Sequence, residues 1–267
     1  MSIKSNIKLM CTISSGFKMD DLSVTVCMAA YNGEKYLREQ IDSVLSELAG
    51  TDELVVVDDC SSDATYKLLL SYSAKDPRVK VFKNACNSGV VKTFEAALSY
   101  AQNDIVFLAD QDDIWMPGRV DTCLAIFKSK PEVSAVLVNA EILAFQEKTG
   151  LSFYPAGLEP KLTITSQLLR NQFIGCCLCF RRSILKIALP FPTSISMHDW
   201  WLGCCALLSG SVCFVNENKI YYRRHSTNAS PSQRRALSVV LKSRAADALC
   251  FLKLLARFLD KRLERVK

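Results

Sequence analysis

The feature that most constrains the fold of this chain is a regular alternation of short β-rich runs with amphipathic stretches between residues 24 and 140. Such an alternation is typical of βαβ units, in which parallel strands form a sheet and helices cover its faces. The intervening stretches repeat apolar residues at helical spacing. We therefore predict an α/β fold with a mostly parallel central sheet and flanking helices. The strands are predicted at residues 24–29, 54–58, 79–83, 105–109 and 135–139.

The second half of the chain does not continue this rhythm. After Gly150 the sequence predicts a loop over residues 152–160, a short helix near 165–170 and an apolar strand over 173–180. A further helix begins near Met197. Two short strands are predicted at the end of this half, at residues 212–215 and 219–223. We expect this half to shape a pocket over the sheet rather than to build a second core.

Size and composition describe a folded protein. The chain has 267 residues, of which 49% are hydrophobic and 22% are charged, so it can bury a sizeable core and is not a disordered protein. Its longest apolar run, residues 200–215, is interrupted by glycine and serine and is shorter than a membrane span requires. Residues 1–21 lack a convincing signal-peptide pattern, so we predict a flexible N-terminal tail there.

The twelve cysteines are predicted to be free thiols. Many of them lie inside apolar runs, where cysteine behaves as a small buried hydrophobic residue in a reducing cytosol. The two histidines are far apart in the sequence, which argues against a structural zinc site.

The positive charge of the chain is concentrated at its C-terminal end. Residues 234–267 contain ten lysines and arginines against three acids, a balance of +7, whereas the whole chain carries +6 and the remainder therefore −1. A nucleic-acid partner is not indicated by this distribution. Residues 231–267 are predicted to form a basic amphipathic helix. It either lies on an anionic membrane surface or packs on its own domain or on a partner, and the sequence leaves both open.

An acidic cluster follows the predicted strand 105–109, in the run Asp110-Gln111-Asp112-Asp113. In open α/β sheets, ligands bind outside the carboxyl ends of the strands. Side-chain alternation places Asp110 and Asp112 on the same side, where two carboxylates can hold Mg²⁺ or Mn²⁺ together with a diphosphate. A solvated acidic turn is the common alternative for such a motif taken alone.

Three other strand ends indicate what kind of ligand the sheet can bind. The first strand ends without a Gly-x-Gly-x-x-Gly motif, which disfavours a dinucleotide-binding enzyme. The second ends in Asp58-Asp59, where an acid can accept hydrogen bonds from a base or a ribose, while Ser62 or Asp63 caps the next helix. After the third strand, Lys92 could meet a phosphate, although a solvated lysine is more common.

Taken together, these motifs resemble the glycosyltransferase family 2 enzymes of GT-A fold, and within them a bacterial rhamnosyltransferase-like branch. The resemblance spans about residues 22–230, with the motifs in order and at similar spacing. It rests on residues 24–33, Val57-Asp58-Asp59, Asn87-Ser88-Gly89, residues 109–115, Gly175-Cys176, His198-Asp199-Trp200-Trp201 and Tyr222-Arg223-Arg224-His225.

The resemblance implies a GT-A domain over residues 22–230, with a nucleotide-binding half, 22–140, and an acceptor half, 141–230. It implies that Asp199 is the catalytic base and that Asp110 and Asp112 form the DxD motif on metal and diphosphate, with His225 reaching the metal. The donor-binding residues implied in this way are Ala30, Tyr31, Asp58, Asp59, Asp110 and Gln111, beside Lys92.

The activity implied by the resemblance is inverting sugar transfer that depends on Mg²⁺ or Mn²⁺. A nucleotide-sugar donor, dTDP-rhamnose in this branch, would serve a polysaccharide or lipid-linked saccharide acceptor at the cytoplasmic face of the cell membrane. Sugar transfer needs charge stabilisation on the departing phosphate and a carboxylate that accepts the proton of the acceptor hydroxyl.

Two alternatives and one departure accompany this prediction. A sugar nucleotidyltransferase would carry a glycine-rich basic loop after the first strand, which Tyr31-Asn32-Gly33-Glu34 is not. A non-catalytic membrane-associated scaffold would be expected to have lost Asp112 or Asp199, and both are present. Many relatives have Glu-Asp where this chain has His198-Asp199, which leaves the acceptor side open; helix N-capping is the ordinary explanation for Asp199.

Overall fold

The computed structural model describes residues 22–144, 147–225 and 237–264, with the side chains at 237–241, 262 and 264 left out of the description. The predicted N-terminal tail, residues 1–21, lies outside the described residues. Within them the strands form one nine-stranded sheet in the order β3-β2-β1-β4-β8-β6-β9-β5, with β7 paired to β6.

The first half of the chain builds the parallel part of the sheet. Its strands are β1 (Val24–Ala30), β2 (Glu53–Asp58), β3 (Val79–Lys83) and β4 (Ile105–Asp110), and they pair in parallel. The helices between them are α1 (Leu37–Glu47), α2 (Thr65–Ser73) and α3 (Val90–Ser99). All residues of β2 are buried, as expected for a parallel strand that is covered by helices on both faces. The four strands predicted here are confirmed to within one residue at each end.

The second half extends the same sheet with strands in mixed orientation, both parallel and antiparallel to their neighbours. It comprises β5 (Ile114–Trp115), α4 (Arg119–Ser129), β6 (Val133–Ala144), β7 (Glu147–Ser152), α5 (Ile164–Leu169), β8 (Leu178–Arg181), α6 (Leu185–Ala188), α7 (His198–Ser209) and β9 (Ser211–Arg224). Short 3₁₀ turns occupy Gly175–Cys177 and Arg182–Ile184. Because β8 is antiparallel to both β4 and β6, it joins the two halves into one continuous sheet.

Two sequence predictions in this half were wrong in detail. The apolar run 173–180 is not a single strand, because Gly175–Cys177 forms a 3₁₀ turn closed by a hydrogen bond from the Cys177 backbone NH to the Ile174 carbonyl at 3.1 Å. The two short strands predicted at 212–215 and 219–223 are one strand, β9. Register shifts between β9 and β6 accommodate the polar residues in the middle of β9. The Asn139 side chain of β6 donates a hydrogen bond to Asn216 Oδ1 there, at 2.9 Å.

The C-terminal helix α8 (Leu237–Glu264) is confirmed, and it packs on the rest of the domain. Cys250, Phe251 and Leu254 are buried, while Asp247 accepts hydrogen bonds from the Ser196 backbone NH and hydroxyl at 3.0 and 2.9 Å. A row of leucines on the same helix faces solvent: Leu249, Leu252, Leu259 and Leu263. Within the described residues, no helix combines the length and apolar character needed to cross a membrane.

Candidate active site

A cavity of about 420 Å³ opens beyond the carboxyl ends of β1 and β4, where open α/β sheets bind ligands. Residues from both halves of the chain line it, so the predicted pocket over the sheet is present in the structure. From the first half come Ala29, Ala30, Tyr31, Asp59, Asn87, Gly89, Val90, Thr93, Asp110, Gln111 and Asp112. From the second half come Ile174, Gly175, Met197, His198, Asp199 and Tyr222.

The acidic motif after β4 forms one wall of this cavity. Asp110 and Asp112 both line the cavity, but so does Gln111 between them, because the chain turns at residues 111–112 instead of alternating as a strand; Asp113 is buried outside the lining. One oxygen of Asp113 accepts a hydrogen bond from the Arg223 backbone NH at 2.9 Å. The motif is therefore divided between two carboxylates open to a ligand and one that fixes the loop to β9.

Gln111, the residue between these acids, ties the loop to the end of β1. Its side-chain oxygen accepts from the Tyr31 backbone NH at 2.8 Å, and its side-chain nitrogen donates to the Tyr31 carbonyl at 2.9 Å. Gly33 leaves room for this contact, because a Cβ there would lie 2.2 Å from Gln111 Oε1. The pairing holds Tyr31 at the cavity mouth with 46% of its surface exposed, so its ring can stack on a flat ligand.

The two acids after β2 have separate environments. Asp59 accepts hydrogen bonds from the side chain of Asn84 and from the backbone NH groups of Ser88 and Gly89, at 2.7–2.8 Å, which fixes the loop that leads into α3. Asp58 is fully buried and accepts from the Ser61 backbone NH at 3.1 Å. Asp59 lines the cavity and Asp58 does not.

The predicted phosphate ligand Lys92 is placed away from the cavity lining. Its ammonium group pairs with the Glu95 carboxylate at 2.6 Å on the surface of α3. His225 is brought to the acidic motif instead, since its Nε2 lies 2.7 Å from Asp112 Oδ2. The His225 ring also stacks on Tyr36, with 4.8 Å between ring centroids.

Asp199 lies in the first turn of α7 and lines the cavity together with Asp110 and Asp112. Its Oδ1 accepts hydrogen bonds from the Trp200 backbone NH at 2.6 Å and from the Asn171 side chain at 3.0 Å. Burial raises the pKa of Asp199 to about 6, and these hydrogen bonds to the charged form limit the rise. The carboxyl is thus ionised at neutral pH and basic enough to take up a proton.

The cavity concentrates negative charge. Burial raises the pKa of Asp110 well above its usual value, and repulsion from Asp113, Asp112 and Asp199 adds to the rise. Burial and repulsion from Asp112 raise the pKa of Asp113 to about 7. Carboxylates so arranged favour a bound cation, which would relieve their mutual repulsion.

Comparison with known proteins identifies the family. Residues 25–187 match the model of the family described as glycosyl transferase family 2, and this match covers more than half of the chain. The chain belongs to glycosyl transferase family 2. Its enzyme class is therefore that of the glycosyltransferases.

A relative and two solved structures resemble this family 2 glycosyltransferase. An Escherichia coli protein named UDP-Glc:alpha-D-GlcNAc-diphosphoundecaprenol beta-1,3-glucosyltransferase WfgD is 30% identical over 198 residues, or 74% of this chain and 75% of the relative. Residues 1–349 of S. aureus TarS, in complex with UDP-GlcNAc, match with a TM-score of 0.66 and 21% identity over 89% of this chain and 73% of that chain. The mannosyltransferase PcManGT from Pyrobaculum calidifontis, in complex with GDP-Man and Mn²⁺, matches with a TM-score of 0.57 and 17% identity over the same shares. These structures confirm the predicted GT-A type of fold.

The donor atoms of the site fit a divalent cation. Ligand atoms of Asp110, Asp113 and Cys176 lie within 4.8 Å of one another, a grouping that shares Asp110 with the predicted set of Asp110, Asp112 and His225. Asp110 and Asp112 line the cavity, whereas Asp113, Cys176 and His225 do not, although His225 contacts Asp112. Carboxylate oxygens suit Mg²⁺ and Mn²⁺, whereas a thiol suits softer metals.

Two positioning residues of this glycosyltransferase were not found from the sequence. Besides its backbone contact, Arg223 donates from Nε to the Asp112 carbonyl at 2.7 Å and pairs with Glu39 at 2.6 Å, so it clamps the acidic loop between β9 and α1. Asn171 orients Asp199 from the loop after α5. Arg223 stands inside the motif Tyr222-Arg223-Arg224-His225, but no local pattern indicates its role or marks Asn171, because each acts across a long sequence separation.

Proposed function

We propose that this protein transfers one sugar from a nucleotide-diphosphate donor to a saccharide or lipid-linked saccharide acceptor, with inversion at the anomeric carbon. The observation that carries the proposal is that Asp199 lines the same cavity as Asp110 and Asp112. The proposed proton acceptor and the proposed diphosphate-binding pair of acids thus line one cavity, although they come from different halves of the chain.

The nucleotide is proposed to bind at the ends of β1 and β2. Tyr31 is exposed at the cavity mouth, and its ring can cover the base, while Ala30 leaves room for it. Asp59 lines the cavity and can accept from the base or ribose, whereas Asp58, whose buried Oδ1 has no partner within the described residues, lies behind the lining. Lys92 would have to leave Glu95 to meet a phosphate.

The diphosphate is proposed to lie against the loop after β4. Asp110, Asp112 and His225 would hold Mg²⁺ or Mn²⁺ there, and the Mn²⁺ in the solved mannosyltransferase of the same fold supports this assignment. When bound, the cation supplies positive charge that stabilises the departing nucleotide diphosphate. Arg223 and Gln111 hold the loop that carries these ligands.

Asp199 is proposed to accept the proton of the acceptor hydroxyl as the new glycosidic bond forms. Its pKa of about 6 suits a base that works near neutral pH. Asn171 and the Trp200 backbone NH hold Oδ1, which fixes the orientation of the carboxylate. A single displacement in which this carboxylate serves only as a base inverts the anomeric configuration.

The test pairs two substitutions in the acidic wall. Asp199→Asn keeps the side-chain size and removes the base, so turnover should fall by roughly 10²–10⁴-fold while donor affinity stays unchanged. Asp112→Ala should weaken donor binding in the presence of Mn²⁺ as well as turnover. Nucleotide release measures turnover, and calorimetry measures affinity, with dTDP-rhamnose, UDP-glucose, UDP-GlcNAc and GDP-mannose as donors.

Asp121→Asn is the matched control, because Asp121 is an exposed acid on α4 away from the cavity. Its turnover and affinity should equal those of the wild type. Equal donor affinity in Asp112→Ala and the wild type would contradict the diphosphate assignment, and full activity of Asp199→Asn would contradict the base. The donor that binds decides between rhamnose and the other sugars.

We also propose that α8 holds the enzyme at an anionic membrane surface, at the inner face of the cell membrane. The exposed leucines 249, 252, 259 and 263 share the helix with the exposed Lys242, Lys253 and Lys261, against one exposed acid in the same stretch, Asp260. Apolar contact combined with cations suits an interface of anionic lipids. The lipid-linked acceptor named for the E. coli relative supports this location.

A vesicle assay tests this location. The triple variant Leu249→Ser, Leu252→Ser, Leu259→Ser should lose sedimentation with vesicles that contain phosphatidylglycerol, because it removes apolar contact without touching the packed side of α8. The control replaces Leu151 and Leu158, exposed leucines outside α8, by serine. Unchanged sedimentation of the triple variant, or equal binding to uncharged phosphatidylcholine vesicles, would overturn the proposal.

A further inference from the structure

His198 is a buried histidine whose ring nitrogens are unused. It is the first residue of α7, only 3% exposed, and it lines the cavity beside Asp199. Neither Nδ1 nor Nε2 has a hydrogen-bond partner within the described residues. A buried polar group without a partner costs folding free energy, so a ligand group that hydrogen-bonds the ring offsets this cost on binding.

The His198 ring is fixed in place by its neighbours rather than free to turn toward water. It stacks on Phe94 of α3, with 4.0 Å between ring centroids and 22° between ring planes. On another side it lies against Gly175, where a Cβ would stand 2.8 Å from His198 Nε2. The imidazole is therefore a preorganised part of the cavity wall.

The charge state of the ring defines the chemistry that it can recognise. Burial lowers the pKa of His198 to about 3, so the imidazole is neutral at neutral pH. A neutral imidazole offers one donor and one acceptor. A hydroxyl group can both accept and donate and therefore matches it, whereas a diphosphate or carboxylate only accepts and would favour a cationic partner.

The position of the ring favours the donor's sugar over the acceptor. Phe94, on which it packs, belongs to α3 of the nucleotide-binding half, and Val90 and Thr93 of the same helix also line the cavity. His198 lines the same cavity as Asp112 and Asp199, the two residues between which a diphosphate-linked sugar would lie in the proposed function.

We propose that His198 is a specificity-determining residue that hydrogen-bonds a hydroxyl group of the transferred sugar. This inference rests on the proposed function, because it presupposes a nucleotide sugar in the cavity. A site that pairs with a substrate hydroxyl rejects analogues without that hydroxyl, since the buried partner is then left unpaired. His198 would thus select among donors that share one nucleotide.

The experiment separates the sugar from the nucleotide. Calorimetry with Mn²⁺ compares UDP-glucose with UDP, and dTDP-rhamnose with dTDP, in the wild type and in His198→Phe, which keeps a ring on Phe94 but has no nitrogen. We expect His198→Phe to bind the preferred nucleotide sugar roughly ten-fold more weakly and to bind the nucleotide alone unchanged. His198→Gln, which restores a donor and an acceptor, should recover part of the loss.

Each other outcome has a defined meaning. Equal affinity of the wild type and His198→Phe for the nucleotide sugar, or an equal loss for the nucleotide alone, would overturn the inference and leave the proposed function standing. Failure of the wild type to bind any of the nucleotide sugars would overturn the proposed function itself, and the inference with it.

A second variant covers the case in which His198→Phe does not fold. Gly175→Ala should displace the His198 ring, since the added Cβ would lie 2.8 Å from His198 Nε2. It should likewise weaken binding of the nucleotide sugar and spare the nucleotide. With the wild type, donors that lack one sugar hydroxyl at a time should show the loss at a single position, and uniform affinity across that series would count against the inference.

Discussion

At the scale of one residue, Asp199 shows how burial and hydrogen bonds set the pKa of a carboxyl group. Its position next to two tryptophans is readable from the sequence, but its pKa is set by burial and by hydrogen bonds from Asn171 and Trp200. Burial favours the neutral form, and the hydrogen bonds favour the charged form. The balance places the titration just below neutral pH.

The pH dependence of the reaction follows from this balance. Below about pH 6 Asp199 is protonated and cannot accept a proton, so kcat/KM should rise about ten-fold per pH unit up to that value and level off above it. Asn171→Ala removes a hydrogen bond to the charged form and should move the acidic limb up by about one pH unit. The measurement is a pH profile of nucleotide release for both enzymes.

The other titratable groups near Asp199 do not obscure the assignment of the acidic limb to Asp199. Burial raises the pKa of Tyr154 above the range of the assay, and the pKa of His198 lies far below it, so both stay neutral. Repulsion from Asp199 contributes to the raised pKa of Asp110, but the Asn171 side chain donates its hydrogen bond to Asp199. If the acidic limb does not move in Asn171→Ala, the limb therefore belongs to a group other than Asp199.

At the scale of elements, β9 and α8 do the positioning that local sequence patterns do not reveal. The end of β9 brings Arg223 and His225 to the acidic loop, although they are more than a hundred residues away from it along the chain. Helix α8 packs one side on the domain, through Leu254 among others, and leaves Leu252 exposed to solvent. The sequence did not indicate which side of α8 packs on the domain and which side is exposed. The structure shows both sides.

Two leucines of α8 should differ sharply in their effect on stability. Leu254 is fully buried, so Leu254→Ala should lower the free energy of unfolding by about 2–5 kcal/mol. Leu252 is 61% exposed, and Leu252→Ala should change it by less than about 0.5 kcal/mol. Urea unfolding followed by circular dichroism makes the comparison. Equal effects of the two substitutions would mean that α8 does not pack as the structure places it.

At the scale of the whole molecule, one sheet positions both walls of the cavity. The residues at the ends of the parallel strands β1, β2 and β4 form one wall, and β8 joins these strands to β6 and β9. Because the sheet is continuous, the loop after β4 and the start of α7 meet at one cavity without a separate acceptor domain in the described residues. The division of residues 22–230 into a nucleotide half and an acceptor half remains a prediction.

Thiol accessibility should report the integrity of this single core. The described cysteines are free, and eight of them are buried, whereas Cys86 is exposed and Cys60 and Cys213 are partly exposed. In a Cys11→Ser background, which removes the cysteine outside the described residues, no more than these three thiols should react rapidly with a thiol reagent in the native state. The buried ones are Cys27, Cys123, Cys176, Cys177, Cys179, Cys204, Cys205 and Cys250.

Unfolding in urea should release the remaining thiols together, because they belong to one core. Mass spectrometry after alkylation identifies the sites. Rapid native-state reaction of a buried thiol such as Cys179 would contradict the packing at the junction of β4, β8 and β6.

The sequence by itself determined the strands of the parallel half and the acidic motif that follows β4. Both rest on local patterns: short apolar, β-branched runs bounded by turn residues predict buried parallel strands, and acids that directly follow such a strand lie at the ligand-binding edge of the sheet. It also determined the family resemblance, since the motifs stand in order along the chain.

Only the tertiary structure decided which residues meet. The 3₁₀ turn at Gly175–Cys177, the unbroken β9 and the clamp by Arg223 depend on partners distant in the sequence, and periodicity carries no information about them. The same holds for His198, whose unused nitrogens follow from the packing of Phe94 and Gly175 around its ring. Burial and hydrogen bonding are properties of the assembled fold, and they alone fix the charge states on which the chemistry depends.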